Sequence, residues 1–293
     1  MELKGSMVAI VTPFKNGKLD IKSFKKLIKF HLKNNTDAIV PCGTTGESAT
    51  LNYQEHEKII DVCVQEVRGR IPVIAGTGSN STEEALRLTK FAKKAGATAC
   101  LLICPYYNKP TQEGLYEHFL KIAESVDIPL VLYNIPSRTG INLLPETVAK
   151  LVSKCKNIIA IKEASGNLDQ MTKILSLTNK KITLLSGDDA LTLPILSIGG
   201  KGVISVVANI LPKITHDLVE SFLAGDVKKA QDLHFYLYPL IKALFIETNP
   251  IPVKTALGLM GMISPELRLP LCSMKKENLE KLKKILKKYD LIS

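Results

Sequence analysis

Short runs rich in β-branched and aliphatic residues alternate along the chain with segments whose apolar positions recur at helical spacing. That alternation predicts an α/β fold of parallel strands joined by crossover helices. Eight runs read as strands, at residues 8–11, 38–40, 73–75, 100–104, 130–133, 158–162, 183–186 and 203–206. Eight βα units point to a closed (β/α)8 TIM barrel rather than an open sheet. Helix starts fall between the strands: Asn52 with Glu55 three residues on, Ser81 with Glu84, and Pro145 at a first turn. Beyond the eighth run, helical patterns around 213–223, 226–247 and 277–288 predict an added lobe. The expected division is a catalytic barrel over residues 1–225 and a C-terminal helical lobe over 226–293.

In such barrels the chemistry sits where the strands end and lead into the following helices. The segments at 43–48, 76–80, 105–108, 134–140, 163–167 and 187–189 follow the predicted strands and hold most of the Gly, Thr, Asn and unusual Tyr residues. The sixth strand is apolar up to Lys162. Alternation sets Ile158, Ala160 and Lys162 on one face, and if that face lines the barrel, desolvation there disfavours the ammonium and frees the amine to attack carbonyls. A plainer reading is a lysine that snorkels out of a strand end. Tyr133 ends the adjacent fifth strand and is able to pass protons beside such an amine, or to be an aromatic core residue.

The loop Gly43-Thr44-Thr45-Gly46-Glu47-Ser48 offers hydroxyls and backbone amides to a small carboxylate, or is a turn with a helix cap. Arg138, one of five arginines, follows Pro136 in a loop at the expected mouth. It can clamp a carboxylate through two parallel hydrogen bonds, or be a surface charge.

Composition narrows the classes. The 293 residues are 45% hydrophobic and 23% charged, and no apolar run approaches the ~20 residues needed to cross a bilayer. The first residues lack a basic start, apolar stretch and cleavage site, which places the chain in the cytoplasm. Six scattered cysteines without a Cys-x-x-Cys pair read as buried thiols. The formal charge of +11 raises the question of nucleic acid. However, the seven lysines between 275 and 288 surround Leu279, Leu282 and Leu286 at helical spacing, which describes a solvated helix face rather than a binding arm. The five histidines show no paired metal-ligand spacing, and no nucleotide fingerprint occurs; a lysine that supplies the electron sink calls for no cofactor or metal.

Taken together, residues 43–48, the run Tyr133-Asn134-Ile135-Pro136-Ser137-Arg138-Thr139-Gly140, Ile161-Lys162-Glu163 and Gly187-Asp188-Asp189 resemble the dihydrodipicolinate synthases, also called 4-hydroxy-tetrahydrodipicolinate synthases. The resemblance runs from about Leu3 into the C-terminal lobe. It implies condensation of pyruvate with L-aspartate 4-semialdehyde, the first committed step of the diaminopimelate route to lysine, in a homotetramer of tight dimers. Lys162 is then the imine-forming residue, and Tyr133, Thr44 and Tyr107 the proton relay, with Tyr107 reaching a neighbouring subunit. Thr45 holds the pyruvate carboxylate, Arg138 that of the semialdehyde, and the backbone at Gly187 and Ile204 lines the pocket.

N-acetylneuraminate lyases and keto-deoxy sugar acid aldolases share the lysine, the tyrosine and a similar glycine loop, but Arg138 and Thr44 side with the synthases. A basic barrel that binds nucleic acid or serves structurally is the remote alternative. The resemblance also implies inhibition by L-lysine through Ser48, Ala49, His56, Asn80, Glu84 and Tyr106, with Tyr53 departing from the histidine common in sensitive bacterial sequences. Asn80 and Glu84 have a second reading as a helix cap.

Overall fold

A computed structural model describes residues 2–293. The chain opens with β1 (Gly5–Ala9), a hairpin of β2 (Phe14–Lys15) and β3 (Lys18–Leu19), and α1 (Ile21–Lys33). It then alternates through β4 (Ala38–Val40), α2 (Tyr53–Val67), β5 (Ile74–Gly76), α3 (Thr82–Ala95), β6 (Ala99–Ile103) and α4 (Gln112–Ser125). There follow β7 (Leu130–Asn134), a one-turn α5 (Pro136–Thr139), α6 (Pro145–Lys154), β8 (Ile158–Glu163), α7 (Leu168–Leu177), β9 (Thr183–Ser186), α8 (Thr192–Ser197) and β10 (Gly202–Ser205). The last elements are α9 (Pro212–Leu223), α10 (Val227–Leu244), α11 (Ile251–Leu259) and α12 (Lys276–Lys288).

Eight parallel strands follow the order β4-β1-β10-β9-β8-β7-β6-β5, and a parallel bridge between Ile39 and Val73 joins the two ends into a barrel. This is the (β/α)8 architecture expected from the pattern, with C-terminal helices added. Strand alternation splits the buried residues into two cores. Met7, Ala9, Val40, Leu101, Val131, Tyr133, Ala160 and Ile204 fill the barrel interior. The second core lies between strands and helices and includes Val8, Ile39, Leu102, Leu132 and Ile161. With helices over the outer face, strands bury both sides, which is why they read as near-continuous apolar runs.

The helix signals act as expected. Asn52 and Glu55 form a reciprocal capping box, Ser81 caps α3 and Pro145 opens α6. Several boundaries differ. The first strand begins three residues earlier than the expected 8–11 and ends at Ala9; 38–40 and 183–186 are unchanged, and the ends of the other strands shift by no more than one residue. Ile158 lies in the outer core, against the expectation that it shares a face with Lys162; the pairing slips between Leu130 and Val131, so Ile158 faces Leu130 and Ala160 faces Val131. One irregularity of this kind reverses which residues face inward. Cys272 is exposed, unlike the other five cysteines, because it falls in the irregular segment before α12.

After the barrel, α10 packs against α9 and α12. The sequence pattern misses α11, whose nearly uniform apolarity carries no amphipathic period. No helix among the described residues is long and apolar enough to cross a membrane.

Candidate active site

Lys162 and Tyr133 are Cα partners across β8 and β7, at the carboxyl ends of both strands. Tyr133 is buried, Lys162 is 6% exposed, and the Lys162 Nζ lies 4.1 Å from the centre of the tyrosine ring. Lys162 makes no ion pair among the described residues, so this confined amine has no carboxylate neutralising it. Beside it, a Cβ on Gly187 would stand 2.8 Å from that of Ala164 and 3.1 Å from Lys162 Cε, so only glycine leaves the lysine stem its space. Ile204 is buried in the same interior.

The loop after β4 folds back on itself through Gly46 and Ser48 amides donated to the Gly43 carbonyl, and a Glu47 amide donated to that of Thr44. Glu47 takes a left-handed conformation, φ +53°, and points into the protein. There its carboxylate meets Lys254 Nζ of α11 at 2.5 Å and accepts the Arg268 amide at 3.2 Å. Burial pulls the Lys254 pKa down, and the Glu47 charge opposes that shift. Thr45 is thereby held inward, 3% exposed, where its hydroxyl meets Asn249 Nδ2 at 3.0 Å. The Asn249 carbonyl in turn accepts Arg138 Nη2 at 2.9 Å. Arg138 belongs to α5 rather than to a loop. A single residue of the lobe therefore ties together the two side chains read as carboxylate holders. Sequence reasoning missed Asn249, although the Asn-Pro-Ile-Pro run around it marks a break inside the helical lobe.

Two cavities flank this centre. The larger, about 370 Å³, is lined by Thr44, Glu47, Ser48, Ala49, Tyr53, His56, Glu84, Tyr106, Arg138 and Asn249 among others. It unites five of the six expected lysine-site residues with Thr44 and Arg138. Asn80 is outside that lining; its carbonyl accepts Asn108 Nδ2, and the cap of α3 is Ser81. Glu84 accepts the Ser79 hydroxyl at 2.5 Å, and the Arg87 guanidinium lies 4.0 Å from the centre of the Tyr53 ring. Burial lowers the His56 pKa to about 4, which keeps its ring neutral near pH 7, although the Glu84 charge pulls the other way.

The smaller cavity, about 300 Å³, is lined by Ser137, Arg138, Gly187, Asp188, Lys242 and Phe245 among others. Arg138 lines both, while Lys162 and Tyr133 line neither and sit buried in the barrel. Asp188 and Lys242 had drawn no notice as separate charges in sequence. Tyr107 stands apart from both cavities, 89% exposed with φ +74°.

The model of the dihydrodipicolinate synthetase family matches residues 2–289. The chain belongs to this family. Among its members, the 4-hydroxy-tetrahydrodipicolinate synthase of Syntrophus aciditrophicus (strain SB) is 58% identical over 289 residues, covering 99% of both chains. The crystal structure of dihydrodipicolinate synthase from Aquifex aeolicus superposes with a TM-score of 0.98 at 52% identity, with 99% of each chain covered. The family's structure from Cyanidioschyzon merolae with lysine bound gives a TM-score of 0.95 at 43% identity, again over 99% of each chain.

Proposed function

We propose that this chain condenses pyruvate with L-aspartate 4-semialdehyde to 4-hydroxy-tetrahydrodipicolinate, and that Lys162 is the residue that carries pyruvate through the reaction. The observation that supports the assignment of Lys162 is its placement: a buried amine at a strand end of the barrel, without an ion-pair partner among the described residues, 4.1 Å from the Tyr133 ring. Its nitrogen adds to the C2 carbonyl of pyruvate, and loss of water leaves an iminium. That cation acidifies the methyl group, and the enamine formed by losing a methyl proton attacks the aldehyde carbon. The semialdehyde's own amine then displaces Lys162 from C2, which closes the ring and returns the free lysine.

Tyr133 and Thr44 pass protons in these steps, with Tyr107 supplied by a neighbouring subunit. Its exposure on an isolated chain fits that role. Thr45 holds the pyruvate carboxylate, Arg138 that of the semialdehyde, and Gly187 and Ile204 shape the pocket wall. Residues 1–225 form the catalytic barrel, and the lobe at 226–293 braces it through Asn249 and Lys254. Exposed Phe235, Tyr238 and Leu269, 70%, 45% and 82% accessible, offer apolar surface for a homotetramer. L-lysine binds the larger cavity as a feedback inhibitor, with Ser48, Ala49, His56, Glu84 and Tyr106 at hand and Asn80 at its edge. Buried free thiols at Cys42, Cys63, Cys100, Cys104 and Cys155 fit a reducing, cytoplasmic setting.

The test compares acceptors. Purified protein is expected to consume pyruvate with aspartate 4-semialdehyde and not with N-acetylmannosamine. Turnover with the sugar instead would move the activity to the lyases.

A further inference from the structure

One residue beyond the reacting pair, β7 and β8 are joined a second time. Asn134 and Glu163 are Cα partners immediately after Tyr133 and Lys162, and both are wholly buried. Alternation turns them away from the barrel interior, toward the helices. There Asn134 Nδ2 donates to both carboxylate oxygens of Glu163, at 3.1 and 3.2 Å. Gln170 Nε2 of α7 donates at 2.7 Å and the Ser165 amide at 3.0 Å. Asn142 closes the ring: its Oδ1 accepts Asn134 Nδ2 at 2.7 Å, and its Nδ2 donates to Gln170 Oε1 at 2.7 Å. Glu163 makes no ion pair among the described residues, so a buried carboxylate is held by neutral donors alone. Burial pushes its pKa up and these donors push it back.

An ionised carboxylate only accepts, and every group aimed at Glu163 donates. An amide in its place would turn an NH2 toward Asn134 and Gln170, and the ring could not be satisfied without leaving a buried donor unpaired. We infer that Glu163 is a positioning residue for the Schiff-base reaction, whose carboxylate clamps the tip of β7 to that of β8 through Asn134 and so holds Tyr133 against Lys162. This rests on the assignment of Lys162 and Tyr133 as the reacting pair. The chemistry is sensitive to such a clamp, because a misplacement of about 1 Å can cost roughly 100-fold in rate.

The experiment uses Glu163→Gln and the exchange Glu163→Gln/Gln170→Glu. The exchange moves the carboxylate across the 2.7 Å hydrogen bond, where it accepts from residue 163 and from Asn142, while the new amide oxygen accepts from Asn134 and Ser165. Imine formation is followed by rapid mixing with pyruvate and quenching with borohydride, alongside pyruvate KM, kcat and Tm. Glu163→Gln is expected to slow imine formation and kcat by about 10- to 100-fold with pyruvate KM changed less than about threefold. The exchange is expected to recover to within about threefold of the parent.

A folded Glu163→Gln variant that forms the imine at the parent's rate overturns the inference. So does an exchange variant that stays as slow as the single one. If Glu163→Gln does not fold, the exchange alone decides: a parent-like rate supports the clamp, and a slow one overturns it. Parent protein that fails to label on Lys162 would instead overturn the assignment of the lysine, and this inference with it.

Discussion

The chemistry proposed for Lys162 rests on where a single side chain is placed. A lysine on a helix surface would be solvated; at the end of a barrel strand, 6% exposed and without an ion-pair partner among the described residues, its amine is set against a phenol ring. This much was legible in sequence, because strand alternation and the βα count place both residues. The residues that support them were not. Asn249 reaches Thr45 across 204 positions and Lys254 reaches Glu47 across 207, and no local period encodes a contact of that range. Asn249→Ala removes the side-chain hydrogen bond to the buried Thr45 hydroxyl while keeping the backbone carbonyl that Arg138 reaches, so pyruvate KM is expected to rise about tenfold, the equivalent of one net hydrogen bond. An unchanged KM in steady-state assays would remove Asn249 from the site. The Lys254–Glu47 pair is buried on both sides. Lys254→Met strands the carboxylate and is expected to cost about 3–5 kcal/mol in urea unfolding, with Glu47→Gln added in the double variant recovering much of it. A loss under about 1 kcal/mol would contradict this account of the pair.

At the scale of the element, strands were read within a residue except the first, whose apolar run continues past Ala9 as Ile10 and Val11 into buried loop. Burial alone does not tell strand from covered loop. The slip beside Ile158 was illegible because a bulge changes pairing without changing composition. Helices α1, α2 and α4 press His31, His56 and His118 against the protein, and burial lowers their pKa values to about 3, 4 and 4. The unfolded chain takes protons on these rings below about pH 6.5, where the folded chain does not. Stability is therefore whole above that pH and falls as pH drops through the window from 6.5 toward 4, by up to ~1.4 kcal/mol per pH unit for each histidine. Glu163 and Asp189, both raised by burial, work against the trend at its acid end. Urea midpoints at pH 7.5, 6 and 5 are expected to decline in that order, and a flat series would show that the three rings open to water.

For the whole molecule, the strands present Lys162 and Tyr133, and the C-terminal helices fix the loop after β4, proposed to meet the carboxylates, through Asn249 and Lys254. The barrel was legible from its repeat, whereas the return of α11 to the loop after β4 was not, because nothing in an evenly apolar helix says where it docks. Covalent capture of pyruvate decides the role of Lys162. Borohydride reduction in the presence of pyruvate, followed by peptide mass mapping, is expected to modify Lys162 in the parent protein and leave Lys162→Ala unlabelled. Full labelling of the Lys162→Ala variant, or of another lysine in the parent, would contradict it.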